Sequence, residues 1–397
     1  MHSYQSTNQQ ESIYHIFLVF IALASGGLFI GTGEFVSMSL LPDLARAMNI
    51  SVPNAGAYIS AYAVGVVIGA PTIAILGARL PRKTLLIGLI GLFAVGYGLS
   101  ASAWNHSSLL AGRFIGGLPH GAYYGVACLF AAALVPKNKK AQAAGFVMIG
   151  LAAANVVGVP IATWIGQQFG WRATFWALGA AGVITMGLFA VCLPNLSRTK
   201  DAKPLSELKG LAKPLVWLTL ATAAIGFGGM FAVYSYITPT LTEITGLKAQ
   251  HVPLVLALWG LGMVVGNLVG GKMADINLTK TILATMLWNV ISLALFAVYA
   301  HSPIGALATL FMIGCGFALV PALQVRLMDV SGDAQTMAAS LNHSAFNISN
   351  AIGASLGGLS IAYGFGWSST GWVGSALALF GIILMMLSLI YQRKTNQ

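Results

Sequence analysis

Long runs of apolar residues dominate this chain, and short clusters of Gly, Pro and charged residues separate them. A helix needs about 20 apolar residues to cross the hydrocarbon core of a bilayer. Apolar and polar positions do not alternate within the runs, which excludes a membrane β-barrel. We therefore predict twelve membrane-spanning helices, at 14–41, 54–77, 84–103, 108–135, 142–167, 172–193, 214–240, 251–273, 280–299, 304–330, 336–364 and 369–391.

One polar segment divides the twelve runs into two sets of six. Residues 194–213 contain Lys, Arg, Asp, Glu and two prolines within one short stretch, which is typical of a loop in water. We expect three parts: an N-terminal six-helix bundle at 1–193, a cytoplasmic linker at 194–213 and a C-terminal six-helix bundle at 214–397.

The two sets are related by an internal repeat. At an offset of about 197 residues, the segment that begins at Gly65 aligns with the one that begins at Gly262, and Pro42 aligns with Pro239. Repeated halves are typical of secondary transporters, whose substrate site lies between the halves near the middle of the membrane. The expected fold is therefore an all-α polytopic membrane protein built from two pseudo-symmetric bundles.

Composition and charge support a membrane protein. The chain of 397 residues is 57% hydrophobic and only 7% charged, against roughly 25% charged residues in an ordinary soluble domain. The net charge of +11 does not indicate nucleic-acid binding, because the Lys and Arg residues lie between the apolar runs. With the N-terminus inside, sixteen of them fall in cytoplasmic segments and three in outer loops, which predicts that both termini are cytoplasmic.

Five segments carry a family resemblance: GTGEFVSMSLLPDLA, ISAYAVGVVIGAP, RFIGGLPHGAYYG, GLAAANVVGVPIATWIGQQFGWRATF and SLNHSAFNISNAIGASLGG. They resemble the major facilitator superfamily, and within it the twelve-helix drug:proton antiporters similar to bacterial arabinose-efflux permeases. The resemblance implies the major facilitator fold, the bacterial inner membrane and proton-driven export of a small organic molecule by alternating access.

The resemblance also marks segments that govern conformational change. The loop after helix 2 reads GARLPRK, with Ala78 in place of the family's acid and Pro81 in place of a glycine. The loop after helix 8 keeps a glycine and an acid but has lost the basic run, and the helix 5 motif is partial. The residues that match these three motifs and the family's helix 4 motif are Arg79, Arg82, Lys83, Gly117, Gly121, Gly158, Pro160, Gly271 and Asp275.

Glu34 is the only acidic residue deep within a predicted span. It lies eight residues before Pro42, or about 12 Å of helix rise from the outer end. An acidic residue inside a membrane is by default functional, which makes Glu34 a candidate proton carrier. The alternative is a permanently protonated carboxyl that only hydrogen-bonds neighbouring helices.

Arg113 lies at about the same depth and is expected to form a coupling pair with Glu34. Its charge favours the carboxylate, and a proton on Glu34 would remove the reason for the pair. The spacing Arg113-x-x-x-Gly117-x-x-x-Gly121 is similar to the family's helix 4 motif, whose arginine is tied to proton coupling. The alternative is that Arg113 extends to the outer interface.

Two further observations concern coupling. At the offset of 197, Glu34 aligns with Phe231, Arg113 with Leu310 and His120 with Phe317, so that only the N-terminal half carries these ionisable groups. His120 shares a helix face with Arg113. Two roles for His120 remain open: it relays a proton or binds substrate, or it is a neutral hydrogen-bonding group that positions helix 4.

Polar and aromatic residues within the spans are candidates for the substrate cavity. Three positions of helix 11, at 343, 347 and 350, share one face and form a polar stripe. The alternative for every candidate is helix packing or anchoring at the membrane interface. The candidates are Tyr62, Asn155, Tyr234, Tyr236, Trp259, Gln324, Asn342, His343 and Asn347.

The sequence thus predicts a proton-coupled exporter of a drug, sugar or nucleoside. We expect the proton gradient to be its energy source, with no cofactor, no metal site and no nucleic-acid partner, and we expect a monomer in the bilayer. An importer or uniporter for a sugar or nucleoside is the first alternative. A membrane-embedded lipid-modifying enzyme is the second, but the sequence contains neither an Asp-rich metal motif nor an ATP-binding loop.

Overall fold

The spanning segments of the protein are helical throughout. The computed structural model describes residues 2–77, 80–136, 140–196, 213–331 and 335–395, and no strand occurs within these ranges. The N-terminal half contains α1 (His2–Ser39), α2 (Ala57–Gly77), α3 (Arg82–Ala101), α4 (His106–Gly117 and His120–Ala133), α5 (Lys140–Ala153, Ala154–Gly158 and Val159–Phe169) and α6 (Trp171–Cys192). The C-terminal half contains α7 (Pro214–Gly226 and Gly228–Ser235), α8 and α9 (together Val252–Tyr299), α10 (Pro303–Cys315, Gly316–Ala318 and Leu319–Ser331), α11 (Gln335–Ala362) and α12 (Ser369–Thr395).

These helices account for the twelve predicted spans. Nine stretches of the described chain are long and apolar enough to cross a membrane, and the stretch Ala249–Tyr299 is 51 residues long and contains both α8 and α9. The nine stretches therefore hold ten helices. The two helices not among them are α4, which the break near Pro119 divides into short pieces, and α11, whose asparagines lower its mean hydropathy. These two helices bring the number to twelve and confirm the predicted all-α fold with two six-helix bundles.

Helices α8 and α9 are joined more closely than the sequence predicts. A loop was expected between 273 and 280, but Val252–Tyr299 is interrupted only at Asn277, which has non-helical backbone angles. The Asn277 side chain accepts a hydrogen bond of 2.9 Å from the backbone N–H of Lys280 and so caps the first turn of α9. Gly271 and Asp275 consequently lie in the last turns of α8 rather than in a loop.

The internal repeat is also a repeat of helix packing. In each half, two glycines of the second helix face backbone carbonyls of the fourth, so closely that a Cβ would collide with them. The matched contacts are Gly65 with Phe114 and Gly69 with Leu118 in the N-terminal half, and Gly262 with Phe311 and Gly266 with Cys315 in the C-terminal half. Small residues allow membrane helices to approach in this way, and each C-terminal residue stands 197 positions after its N-terminal counterpart.

The two halves are hydrogen-bonded together at one end of the molecule. We call this the far end; it carries the α1–α2 and α7–α8 connections. The opposite end, where residues 194–213 join the halves, is the linker end. The hydrogen bonds at the far end run from Thr238 Oγ1 to Ser39 O at 2.6 Å, between the hydroxyls of Ser60 and Ser355 at 3.2 Å, and from Gln167 Nε2 to Ala249 O at 2.8 Å.

Two basic residues at the linker end bind helix termini of their own half. Arg82 Nη1 donates to Leu129 O at 3.3 Å, and Lys83 Nζ donates to Ala190 O at 2.8 Å. These carbonyls belong to the last turns of α4 and α6, where a cation is favoured by the helix dipole. Arg79 and residues 197–212 of the predicted linker lie outside the described residues.

A buried polar cluster between the two halves

Glu34 occupies the contact between the two halves. Its side chain is 6% exposed, and one carboxyl oxygen accepts a hydrogen bond of 3.4 Å from Asn350 Nδ2 of α11. The other oxygen lies 3.8 Å from His120 Nε2 of α4. A single carboxyl thus contacts one helix of its own half and one helix of the opposite half.

His120 uses both of its ring nitrogens. Nδ1 lies 3.0 Å from the Tyr62 hydroxyl, while Nε2 faces Glu34. If the tyrosine hydroxyl donates to Nδ1, the neutral imidazole carries its proton on Nε2, where it faces the carboxylate. His120 begins the second piece of α4 directly after Pro119, so the break in this helix positions the imidazole.

Arg113 is 1% exposed and is held by groups other than the Glu34 carboxylate. Nη1 donates to Gly33 O at 3.3 Å and to the Tyr97 hydroxyl at 2.9 Å. Its guanidinium carbon lies 4.5 Å from the centre of the Tyr62 ring, a cation–π contact. With these partners the guanidinium does not reach the membrane interface.

Among the described residues, Glu34 and Arg113 do not form a direct ion pair. The ion-pair contact of Glu34 in this part of the chain is His120, and Nη1 of Arg113 donates to the carbonyl of Gly33 and to the Tyr97 hydroxyl. Arg113 Nη2 has no hydrogen-bond partner within the described part of the chain. Arg113 remains adjacent to the cluster through the backbone of Gly33, and its role in coupling remains a prediction.

Two of the predicted cavity residues lie in an aromatic cluster across the interface from Glu34. Tyr234 and Trp259 have ring centres 4.9 Å apart, and Phe35 packs edge-on against Tyr234 at 5.5 Å. Phe231 and Phe317 complete the walls of a crevice that has no room for a water molecule. In this conformation the aromatic side chains are packed against one another.

The polar and aromatic clusters occupy equivalent positions of the repeat. Phe231, Trp259 and Phe317 stand 197 residues after Glu34, Tyr62 and His120. These three groups of the N-terminal cluster are thus replaced by aromatic rings in the C-terminal half, whereas Arg113 is replaced by Leu310. The same scaffold presents a polar surface on one side of the interface and an apolar surface on the other.

The remaining candidate cavity residues are dispersed. Tyr236 lies at the far end, where its hydroxyl donates to Ala354 O at 2.7 Å. Asn155 lies in a π turn of α5, where its backbone carbonyl abuts Gly260 of α8.

A second polar group lies nearer the linker end. Asn342 Nδ2 donates to Gln324 Oε1, and Asn347 Nδ2 donates to the backbone carbonyl of His343 at 3.0 Å. The His343 ring stacks on Tyr124 of the opposite half at 5.5 Å. This stacking is a second contact of α11 with the N-terminal half, here with α4.

The residues expected to govern conformational change divide into packed and open positions. A Cβ on Gly117 would meet the backbone of Tyr62, and one on Gly158 would meet the Thr32 hydroxyl. A Cβ on Gly121 would lie 2.8 Å from Ala70 Cβ, whereas Gly271 has open space around it.

Pro160 and Asp275 complete this set. Pro160 follows the π turn Ala154–Gly158. Because proline lacks an N–H, it interrupts the regular ladder of hydrogen bonds at this point of α5. Asp275 is exposed at the linker end.

Sequence reasoning missed several partners of the cluster. The sequence places Asn350 in the polar stripe of α11 but does not predict its hydrogen bond with Glu34. The stripe is the one sequence feature that points to this residue. Tyr97 binds Arg113 from α3, and Tyr124 connects His120 with His343. These tyrosines stand within apolar runs, where no spacing distinguishes them from packing residues.

Comparison with known proteins assigns the family. A model of the Major Facilitator Superfamily matches residues 23–329 and 220–397. The chain is 39% identical to the inner membrane transport protein YdhP of Escherichia coli strain K12, over 94% of this chain and 97% of that protein. It is 30% identical to a probable sugar efflux transporter of Haemophilus influenzae strain PittGG, over 94% of this chain and 95% of that protein.

A solved structure of a D-xylose-proton symporter superposes with a TM-score of 0.72 at 16% identity, over 94% of this chain and 97% of that one. The family model and the YdhP relative describe transport proteins, which confirms a membrane transporter over the enzyme alternative. The chain belongs to the major facilitator superfamily.

Proposed function

We propose that this transporter is a proton-coupled exporter of a small organic molecule of the sugar or drug-like type, which acts by alternating access in the bacterial inner membrane. The observation that carries the proposal is the contact of Glu34 with His120 in its own half and Asn350 in the other. Among the side chains that the structure describes, Glu34 is the one acidic group in the buried core. Protonation of Glu34 would therefore change the contacts between the two halves.

The coupling follows from charge. An ionised Glu34 attracts His120 and Arg113 and accepts a hydrogen bond from Asn350. A proton on Glu34 removes this charge and weakens all three interactions, so that the far end can separate. When Glu34 releases the proton to the opposite side of the membrane, its contacts with His120, Arg113 and Asn350 form again. The cycle requires a proton gradient and a single chain, and it requires no cofactor or nucleotide.

The sidedness of this cycle rests on the distribution of Lys and Arg. We propose that both termini are cytoplasmic, with the division into 1–193, 194–213 and 214–397, which makes the far end the outer end. A reporter fused after Lys200 is expected to be active in the cytoplasm. Periplasmic activity of this fusion would reverse the proposed topology.

The substrate class is inferred from the interface and from one relative. Tyr234, Trp259, Phe231 and Phe317 offer ring faces to an apolar or sugar-like molecule, while Asn155 and the polar stripe of α11 offer hydrogen bonds. The name of the Haemophilus influenzae relative supports sugars and export. Import or uniport is the alternative, because the fold is shared with a proton symporter.

Inverted membrane vesicles test the proposal. An interior made acidic without ATP should drive accumulation of the substrate, sought among labelled sugars, nucleosides and cationic dyes. Counterflow without any response to the pH gradient would identify a uniporter, and loss of accumulated substrate on acidification would identify a symporter. Both outcomes would overturn the export proposal.

A further inference from the structure

A second cavity lies at the linker end, within the C-terminal half and away from the interface. Its volume is about 390 Å³, which is within the range of small-molecule sites, about 300–1,000 Å³. It lies among the first residues of α7, the first turn of α9, the end of α10 and the end of α12. The lining polar residues are Lys213, Thr279, Arg326, Asp329 and Gln392.

Arg326 is a buried cation in the wall of this cavity. It is 4% exposed, and its Nη2 donates to Ser388 Oγ at 2.9 Å and to Gln392 Oε1 at 3.4 Å. Both partners are neutral, and no carboxylate of the described chain lies within ion-pair distance. Its Nε has no hydrogen-bond partner among the described residues. Asp329 of the same lining attracts Arg326 but does not reach ion-pair distance. A buried guanidinium with an unpaired Nε and no ion pair among the described residues is costly, and a bound anion would offset this cost.

The neighbouring groups also favour an anion. Lys213 lines the cavity and donates to Ser331 O at 3.4 Å. Two helices begin there: α7 after Lys213, and α9 after Asn277. A helix N-terminus carries partial positive charge and unpaired N–H groups, which bind phosphate readily. Asp329 is the opposing charge in the lining.

From these observations we propose that this cavity binds a phosphate group, with Arg326 and Lys213 as its charged ligands. The cavity is larger than a bare phosphate ion requires, and its volume is suited to a phosphoglycerol group. Cationic pockets between membrane helices bind the headgroups of anionic lipids, and a soluble phosphate ester offers the same chemistry. The site lies within one bundle, so it is distinct from the substrate path between the halves.

Binding to the purified full chain in detergent tests the site. Phosphatidylglycerol, phosphatidylcholine and glycerol 3-phosphate would each be titrated and the complexes counted by native mass spectrometry. Arg326→Gln is expected to weaken binding of the anionic probe at least about tenfold, the loss typical of one hydrogen bond to a charged group. Asp329→Asn is expected to strengthen it several-fold, because it removes the repulsive charge.

Arg393→Gln is the matched control, since it removes an equal charge from an exposed position next to Gln392. Its affinity should remain within about twofold of the unmodified chain. Binding of phosphatidylglycerol alone assigns a lipid headgroup, and binding of glycerol 3-phosphate as well assigns a soluble phosphate ester. Equal affinities in the unmodified chain and Asp329→Asn would overturn the proposal, even if Arg326→Gln fails to fold.

Discussion

At the scale of single residues, the proposed coupling depends most directly on Glu34, because its carboxyl contacts both halves. Glu34→Gln keeps the shape and the oxygen that faces Asn350 but cannot ionise. We expect proton-driven export to be abolished while counterflow of substrate is retained. Flux with and without a pH gradient, measured on the same vesicles, separates the two activities.

A matched control for this substitution is Asp43→Asn. It removes one charge near the far end from a pair with Arg46 that is exposed to solvent, and such pairs contribute little. Its proton-driven flux should be normal. If Glu34→Gln also exports normally against a gradient, the carboxyl is not the proton carrier, and His120 becomes the next candidate.

Arg113 donates to Gly33 O and to the Tyr97 hydroxyl beside Glu34, and these contacts make a positioning role testable. Arg113→Ala leaves the Tyr97 hydroxyl and the Gly33 carbonyl without their donor and opens a buried cavity. We expect a loss of several kcal/mol of stability together with weakened coupling. Arg113→Lys keeps the charge but loses the planar fork, so it should impair both properties less.

Thermal unfolding and the ratio of gradient-driven flux to counterflow measure these two effects. Arg172→Ala at the far end, where the guanidinium donates to Ala103 O at 2.8 Å, controls for loss of an arginine. Equal coupling in Arg113→Lys, Arg113→Ala and the unmodified protein would assign this arginine to structure alone.

At the scale of elements, glycine spacing determines which helices approach closely. Gly262→Ala of α8 would bring a Cβ to 2.6 Å from Phe311 O, and overpacking of this kind costs about 1–3 kcal/mol. Gly65→Ala should behave alike in the N-terminal half, because its contact is equivalent. We expect the unfolding temperature of both variants to lie several degrees below that of the unmodified protein.

Gly271→Ala is the control within the same helix. Nothing lies within 4 Å of the added Cβ, and alanine favours a helix by up to about 1 kcal/mol over glycine. Its unfolding temperature should stay equal or rise. A destabilised Gly271→Ala, with Gly262→Ala unchanged, would contradict the packing that relates the two halves.

The number and order of the helices could be predicted from the sequence, because a spanning helix needs one long apolar run. Their interruptions were harder to predict. The sequence does not predict the break at Pro119 within α4. It predicts an interruption between 273 and 280, but not that a single residue, Asn277, makes it. In the candidate site, depth alone predicted that Glu34 and Arg113 are neighbours. Their partners depend on helix rotation, which apolar runs do not encode.

At the scale of the whole molecule, closure of the far end should be an obligatory and reversible step. The Ser60 and Ser355 hydroxyls are 3.2 Å apart across the halves, so a Ser60→Cys, Ser355→Cys double variant is positioned to form a disulfide. In a background without the three native cysteines, oxidation should stop transport and a reductant should restore it. Flux before oxidation, after oxidation and after reduction provides the measurement.

A crosslink within one half is the control. The Ser360 and Ser369 hydroxyls lie 2.8 Å apart inside the C-terminal bundle. A disulfide between cysteines at these two positions should leave transport intact, because the proposed cycle moves each bundle as a unit. Undiminished transport by the oxidised Ser60–Ser355 pair would mean that the far end need not open.

The replacement of Glu34, Tyr62 and His120 by three aromatic rings in the second half has a thermodynamic consequence. In the proposed cycle, in which Glu34 is the one titrating group, each transported substrate molecule exchanges for one proton. A difference of one pH unit then sustains at most a tenfold outward concentration ratio of a neutral solute, about 1.4 kcal/mol. Because such an exchange moves one net charge, a membrane potential of 100 mV adds about 2.3 kcal/mol. The presence of a titrating carboxyl in only one of the two halves would thus set an upper limit on the outward concentration ratio of the substrate.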